Sequence, residues 1–140
     1  MGGLLLTASL VLLDTHILIW WLLDSPLLGA EQSRLLEGLE SRAQPLAISA
    51  ITLWEIAVMV ARGRLEVPDP LDDWLDQIET HPQIVVMPLT ARIAAEGTRL
   101  GEDFQKDPAD RIIVATARVH GLRLLTADDR IRRWGKVPIV

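Results

Sequence analysis

The segment that most constrains the fold runs Lys106-Asp107-Pro108-Ala109-Asp110-Arg111-Ile112-Ile113-Val114-Ala115-Thr116-Ala117 and continues into Leu122-Arg123-Leu124-Leu125-Thr126-Ala127-Asp128-Asp129. Asp107 is a natural N-cap and Pro108 fits N1, where a missing N–H costs nothing. Ile112, Ile113, Ala115, Thr116 and Val119 then supply a buried helical face. Gly121 ends this helix. Leu122 to Leu125 is an apolar run of strand length. Thr126 follows as the expected N-cap of another helix, with Asp129 three residues on, the spacing of a capping box. On that reading Asp128 has no structural task. A helix tied to the next strand by one glycine must run antiparallel to it, so Asp110 in the first turn and Asp128 just past the strand meet at one edge. Ligands of open α/β sheets bind at the carboxyl edge, and function is expected there.

Upstream, Leu10 to Leu13 reads as a buried strand that delivers Asp14 at its carboxyl end, followed by a helix from His16 to Leu23. The apolar stretch Leu4 to Leu23 has the length of a membrane span, but Asp14 and His16 stand in its middle. A carboxylate at bilayer depth costs about 3 kcal/mol, so no membrane segment is expected. Residues 1–8 read as a leader, with disorder as one expectation, ahead of a domain at 9–140. Further helices are expected at Glu31 to Ser41, from a Ser49 cap to Arg62, from Asp69 or Pro70 to Glu79, and from a Thr90 cap to Leu100. Further strands are expected at Leu46 to Ile48, Ile84 to Met87 and, at the edge, Val137 to Val140. Short apolar strands alternating with helices give the α/β class: a three-layer α/β/α sandwich around a mainly parallel, roughly five-stranded sheet.

The chain has no cysteine, which excludes a disulfide framework and thiolate metal sites and fits a reducing cytoplasm. Its net charge of −5 hides an asymmetry. Residues 1–90 hold 4 Lys/Arg against 12 Asp/Glu, whereas residues 91–140 hold 10 against 7. The basic residues therefore collect in the part that carries Asp110 and Asp128, as suits acids that bind metal beside arginines that attract phosphate.

Between Ala50 and Ala61 nearly every residue is apolar, so that helix is expected to be buried on all sides, yet it carries Glu55 as its one charge. Burying a lone carboxylate costs several kcal/mol unless it is paired, hydrogen-bonded or metal-bound. Asp14, Glu55, Asp110 and Asp128 are all expected on the carboxyl edge of one sheet. Each also has a plainer reading: Asp110 favours its helix dipole by about 0.3–1 kcal/mol, and Asp107 is a cap before it is a ligand. Together, four convergent carboxylates without a basic partner in the same motifs imply a bound divalent ion, Mg²⁺ or Mn²⁺, held by hard oxygen ligands and water. The matching chemistry is hydrolysis of a phosphodiester by a metal-activated water. No Ser-His-Asp, Cys-His, GxxxxGK[ST] or GxGxxG pattern competes with it.

At this point the chain resembles the PIN-domain ribonucleases, and among them the VapC-like toxins of toxin–antitoxin modules. The matching motifs are Leu12-Leu13-Asp14-Thr15-His16 with Trp20 after it, Ile48-Ser49-Ala50 through Leu53-Trp54-Glu55-Ile56-Ala57, Asp107-Pro108-Ala109-Asp110-Arg111 through Ala115-Thr116-Ala117, and Leu125-Thr126-Ala127-Asp128. The resemblance implies a Mg²⁺/Mn²⁺-dependent endoribonuclease with Asp14, Glu55, Asp110 and Asp128 as its acidic site. It implies Ser49 and Thr126, with Asp107, as supporting groups, and makes Arg111 and Arg130 candidates for RNA contacts. It also implies a homodimer restrained by a cognate antitoxin, with Trp20 and Trp21 as candidates for the groove that receives it. Three rivals stand beside this reading. A receiver domain would accept a phosphoryl group but has no counterpart of Glu55. A haloacid-dehalogenase-like phosphatase would need an acid where His16 stands. A non-catalytic binding module would keep the fold and lose the metal response.

Overall fold

Strand alternation decides which side chains face which layer. Val11, Leu13, Leu46 and Ile48 join one apolar cluster with Ile17, Leu18, Leu36, Ile56, Trp74 and Ile78. Leu10, Leu12, Ala47 and Leu124 join a second with Phe104, Ile113, Val114, Ala117 and Ile131. The sheet thus lies between two helical layers, the α/β/α sandwich expected. The structure, a computed structural model, describes residues 10–140, and the leader expected at 1–8 lies outside them. The elements in order are β1 (Val11–Leu13), α1 (Thr15–Leu22), α2 (Ala30–Ser41), β2 (Leu46–Ser49), α3 (Ala50–Ala61), α4 (Leu71–Glu79), β3 (Ile84–Met87), α5 (Ala91–Gly97), α6 (Pro108–His120), β4 (Arg123–Leu125) and α7 (Asp129–Trp134). No helix among the described residues is long and apolar enough to cross a membrane.

The strand order is β3-β2-β1-β4, with every pair parallel. The chain moves outward from β1 to β2 and β3, then returns to place β4 on the other side of β1. The switch point therefore lies between β1 and β4, where Leu13 pairs with Leu125. The crevice beyond those two carboxyl ends is the natural ligand position. Both strands deliver acids there.

Four expectations change. The sheet among the described residues has four strands, not five: the Val137 to Val140 segment makes one isolated parallel bridge, Ile139 with Leu124. The Pro138 carbonyl accepts from the Leu124 N–H at 2.8 Å and the Val140 N–H returns to the Leu124 carbonyl at 3.1 Å, but proline has no N–H to extend the ladder toward the start of β4. Helix α5 ends at Gly97 rather than Leu100, and the Arg111 guanidinium takes the Gly97 carbonyl at 3.2 Å. Helix α3 is not buried all round: Thr52 and Ile56 are buried, but Trp54 is 62% exposed. Lastly, Asp128 rather than Thr126 caps the last helix, accepting from the Arg130 N–H. Asp128 therefore has a structural task after all.

Helix α6 forms as its sequence dictates. Asp107 caps α6 by accepting from the Ala109 and Asp110 N–H groups at 2.9 and 3.2 Å, with Pro108 at the first helical position. Gly121 closes α6 at φ 64°, the left-handed conformation that glycine reaches without Cβ strain, and the Leu122 N–H returns to the Ala117 carbonyl.

Candidate active site

Asp14 follows the last residue of β1 and turns into α1 as its N-cap, one carboxylate oxygen accepting from the Thr15 N–H at 2.9 Å. The other oxygen accepts from the Thr126 hydroxyl at 2.6 Å, a bond across the switch point between β1 and β4. The Thr126 oxygen in turn accepts from the Asp128 N–H at 3.0 Å. Asp14 is only 7% exposed. Burial raises its pKa despite the bonds from Thr126 and Thr15, and the charge of Asp128 pushes the same way.

Glu55 reaches the same crevice from the second turn of α3. It accepts from the Thr15 hydroxyl at 2.5 Å; that hydroxyl has spent its proton, so the Thr52 hydroxyl 2.9 Å away donates to it. Desolvation, and then the charges of Asp110, Asp14 and Asp107, push Glu55 up to about 7. Asp110, half-buried in the first turn of α6, is also raised, by burial first and then by Asp107, Asp14 and Asp128. Its Oδ2 accepts from the Gln105 side-chain amide at 2.8 Å, and the same nitrogen donates to Asp128 Oδ2 at 3.0 Å.

Asp128 differs from the other three. Burial works to raise it, but bonds from the Arg130 side chain, Gln105 and the Arg130 N–H outweigh that effect and hold it below the ordinary carboxylate range. The Arg130 guanidinium is bidentate, with Nε 3.2 Å from Oδ1 and Nη2 2.9 Å from Oδ2.

A pH dependence follows for the metal-free protein. The folded Glu55 pKa of about 7 lies above the ordinary 4.5, so folding favours the neutral acid. The resulting stability is full below about 4.5 and lost as pH rises through about 7. Asp14 and Asp110, also raised, act with the same sign. After discounting for the partial exposure of Glu55, the loss is on the order of 1–2 kcal/mol. Thermal unfolding in EDTA is expected at a lower temperature at pH 8 than at pH 5, and Glu55→Gln is expected to flatten most of the difference. An equal slope in that variant would assign the effect elsewhere.

The comparison with known proteins decides what kind of domain places acids this way. The family model described as "PIN domain" matches residues 11–137. The chain belongs to the PIN domain family. A curated relative, Ribonuclease VapC22 of Mycobacterium tuberculosis, is 38% identical over 122 residues, which cover 87% of this chain and 89% of that protein. The fold of this PIN domain is similar to that of FitAcB from Neisseria gonorrhoeae, with a TM-score of 0.69 at 23% identity, covering 93% and 96% of the two chains. It is also similar to a toxin–antitoxin complex from Klebsiella pneumoniae, with a TM-score of 0.61 at 25% identity over 93% and 95%.

Within this PIN domain the sequence-derived residues separate into groups. Asp14, Glu55, Asp110 and Asp128 converge, and Thr126 supports Asp14 directly. Ser49 caps α3 by accepting from the Ile51 N–H, and among the described residues it has no hydrogen bond to the four acids. Asp107 is the α6 cap, and its charge reaches Glu55 and Asp110. Trp20 and Trp21 pack half-buried against the first apolar cluster, their rings 5.9 Å from those of His16 and His81 respectively. Arg111, expected to touch RNA, instead spends its donors on the protein. Nε donates to the Gln105 carbonyl at 3.0 Å, Nη1 to Gly97 at 3.2 Å, and Nη2 to Gly101 at 3.2 Å and Phe104 at 3.1 Å.

Thr15, Thr52 and Gln105 were not foreseen. Thr15 stands next to Asp14, and Thr52 lies one turn before Glu55. Those spacings could have been read; nothing in the sequence around Gln105 announces its bridge. The donor set suits a hard divalent ion, since every candidate ligand is a carboxylate oxygen. Among the described residues no three His, Cys, Asp or Glu groups stand close enough to hold one ion.

Proposed function

We propose that this PIN domain is a metal-dependent endoribonuclease, the toxin of a toxin–antitoxin pair, that hydrolyses RNA phosphodiester bonds. One observation carries the reading. Asp14, Glu55, Asp110 and Asp128 come from separate segments to one carboxyl edge, and each of the three raised pKa values traces in part to another of the four. Mg²⁺ or Mn²⁺ is the ion proposed, with holders drawn from these four residues, no more than two of which stand close enough in the metal-free protein to share one ion. When bound, the ion supplies an activated water and neutralises charge that builds on the phosphate.

The protein's own part is orientation. The Thr15 N–H and the Thr126 hydroxyl fix both oxygens of Asp14, and the Thr15 hydroxyl, backed by Thr52, aims Glu55. In the metal-free protein burial and the neighbouring acids push Glu55 up to about 7, and a divalent ion beside it would favour the carboxylate form that could hold that ion. The Arg130 side chain is 65% exposed beside the acids and is the proposed contact for an RNA phosphate. RNA as substrate is supported by the name of the mycobacterial ribonuclease, and an antitoxin partner by the Klebsiella complex. Trp20 and Trp21, half-buried against the first apolar cluster, stay the residues proposed for the antitoxin groove, and a homodimer is proposed from the family resemblance.

Purified protein is expected to cut total RNA when Mn²⁺ or Mg²⁺ is added and to stop when EDTA is added, read as discrete bands on a denaturing gel. Cutting that persists in EDTA would reject the metal. RNA binding without cutting in either metal would favour a non-catalytic module.

A further inference from the structure

The four acids repel one another, yet one neutral group sits between two of them. The Gln105 amide nitrogen lies 2.8 Å from Asp110 Oδ2 and 3.0 Å from Asp128 Oδ2, so both of its hydrogens point at carboxylates. Resting on the metal-dependent reading above, we propose that Gln105 is a positioning residue that fills the cation's place between Asp110 and Asp128 in the metal-free protein and swings aside when an ion bridges them.

Three observations converge on this role. An ion held by these two carboxylates would compete for the lone pairs that the amide now uses. Both bonds use a single nitrogen, so one side-chain rotation releases them together. The main chain need not follow: the Gln105 carbonyl accepts from Arg111 Nε at 3.0 Å, and Arg111 also holds the Gly97, Gly101 and Phe104 carbonyls around it. A neutral donor suits a reversible occupant. It damps carboxylate repulsion without matching the attraction a divalent ion exerts, so the ion can displace it.

The role fixes the sign of an effect. Removing a competitor tightens metal binding, whereas removing a group that merely braces the site weakens it. The probe is Mn²⁺ alone, titrated into metal-free protein and followed by the paramagnetic resonance signal of the free ion. Gln105→Met keeps the side chain's length and deletes its amide. It is expected to tighten Mn²⁺ binding roughly three- to tenfold, the worth of one modest hydrogen-bonded competitor, while lowering the unfolding temperature in EDTA. Gln105→Lys puts a permanent ammonium in the same place and is expected to bind Mn²⁺ more weakly than wild type. Mn²⁺ affinity that is unchanged or weakened in Gln105→Met, or unchanged in Gln105→Lys, would overturn the proposal. Asp110→Asn separates the two levels. Wild-type protein that binds no Mn²⁺, or an Asp110→Asn variant that binds it undiminished, sinks the metal reading itself and the proposal with it.

Discussion

An Asp110→Asn protein is expected to cut RNA at least roughly a hundredfold more slowly than wild type at saturating Mn²⁺, a loss typical of deleting one charge-stabilising group from a polar active site. It is also expected to unfold in EDTA at the same temperature as wild type or higher. The two outcomes share one cause. Asp110 is raised by burial and by Asp107, Asp14 and Asp128, so its ionised form is held against an unfavourable field at neutral pH. Asparagine removes that charge and keeps a carbonyl oxygen able to accept from Gln105. A structural acid would behave oppositely, because a helix-dipole contact contributes about 0.3–1 kcal/mol that the variant would forfeit. Cleavage within twofold of wild type would reject the proposed site. A sharp fall in metal-free stability would show that Asp110 serves α6 rather than chemistry. Asp14→Asn makes a harsher companion. It is expected to lose cleavage comparably, but both Asp14 oxygens accept hydrogen bonds, one from the Thr15 N–H and one from the Thr126 hydroxyl. One amide orientation would set two donors against each other, so a modest stability loss is expected there.

What the sequence made legible was the backbone logic. The Asp107 cap, Pro108 at N1 and Gly121 at the helix end are local signals, and they place Asp110 beside the end of β4 because one glycine leaves the chain only one way to turn. The apolar strands and the lone Glu55 in α3 were legible for a similar reason: burial needs apolar side chains, and a charge among them stands out. Structure and sequence part where several residues can do the same job. Thr126, Asp128 and Asp129 are all competent N-caps, and the sequence cannot say that Thr126 has a stronger claim on its hydroxyl. That claim comes from Asp14, 112 positions away. Hydropathy overstates the burial of α3 because it reports what a helix can bury, not what the rest of the chain supplies to cover it, and Trp54 stays 62% exposed. The Gln105 bridge and the carbonyl bonds of Arg111 are not legible because their partners are not coded by residue type. A glutamine bridging two acids looks like any loop glutamine, and an arginine satisfied by main-chain carbonyls looks like any phosphate contact.

Arg111→Met provides the second large effect and decides between those two readings of an arginine. The guanidinium donates to four carbonyls, of Gly97, Gly101, Phe104 and Gln105, and stacks 5.6 Å above the centroid of the buried Phe104 ring. Phe104 in turn meets Trp134 edge-on at 4.8 Å, which ties the 97–105 connection to α7. Each hydrogen bond to a charged donor is worth about 1.5–3 kcal/mol, but loop carbonyls near the surface recover part of this from water, so the net loss is about 3 kcal/mol. For a domain of this size that lowers the unfolding temperature by roughly 10 °C. Methionine keeps the alkyl stem, so the loss reports the guanidinium rather than a cavity. Arg111→Lys is expected to recover little, because a single ammonium cannot match a planar fork that serves four acceptors. Calorimetry with an RNA-binding titration separates the alternatives. An unfolding temperature within a degree or two of wild type, together with weakened RNA binding, would restore Arg111 to the RNA surface. A large thermal shift in metal-free protein, with no RNA present, identifies it as the clamp that holds the Gln105 backbone in place beside the acids.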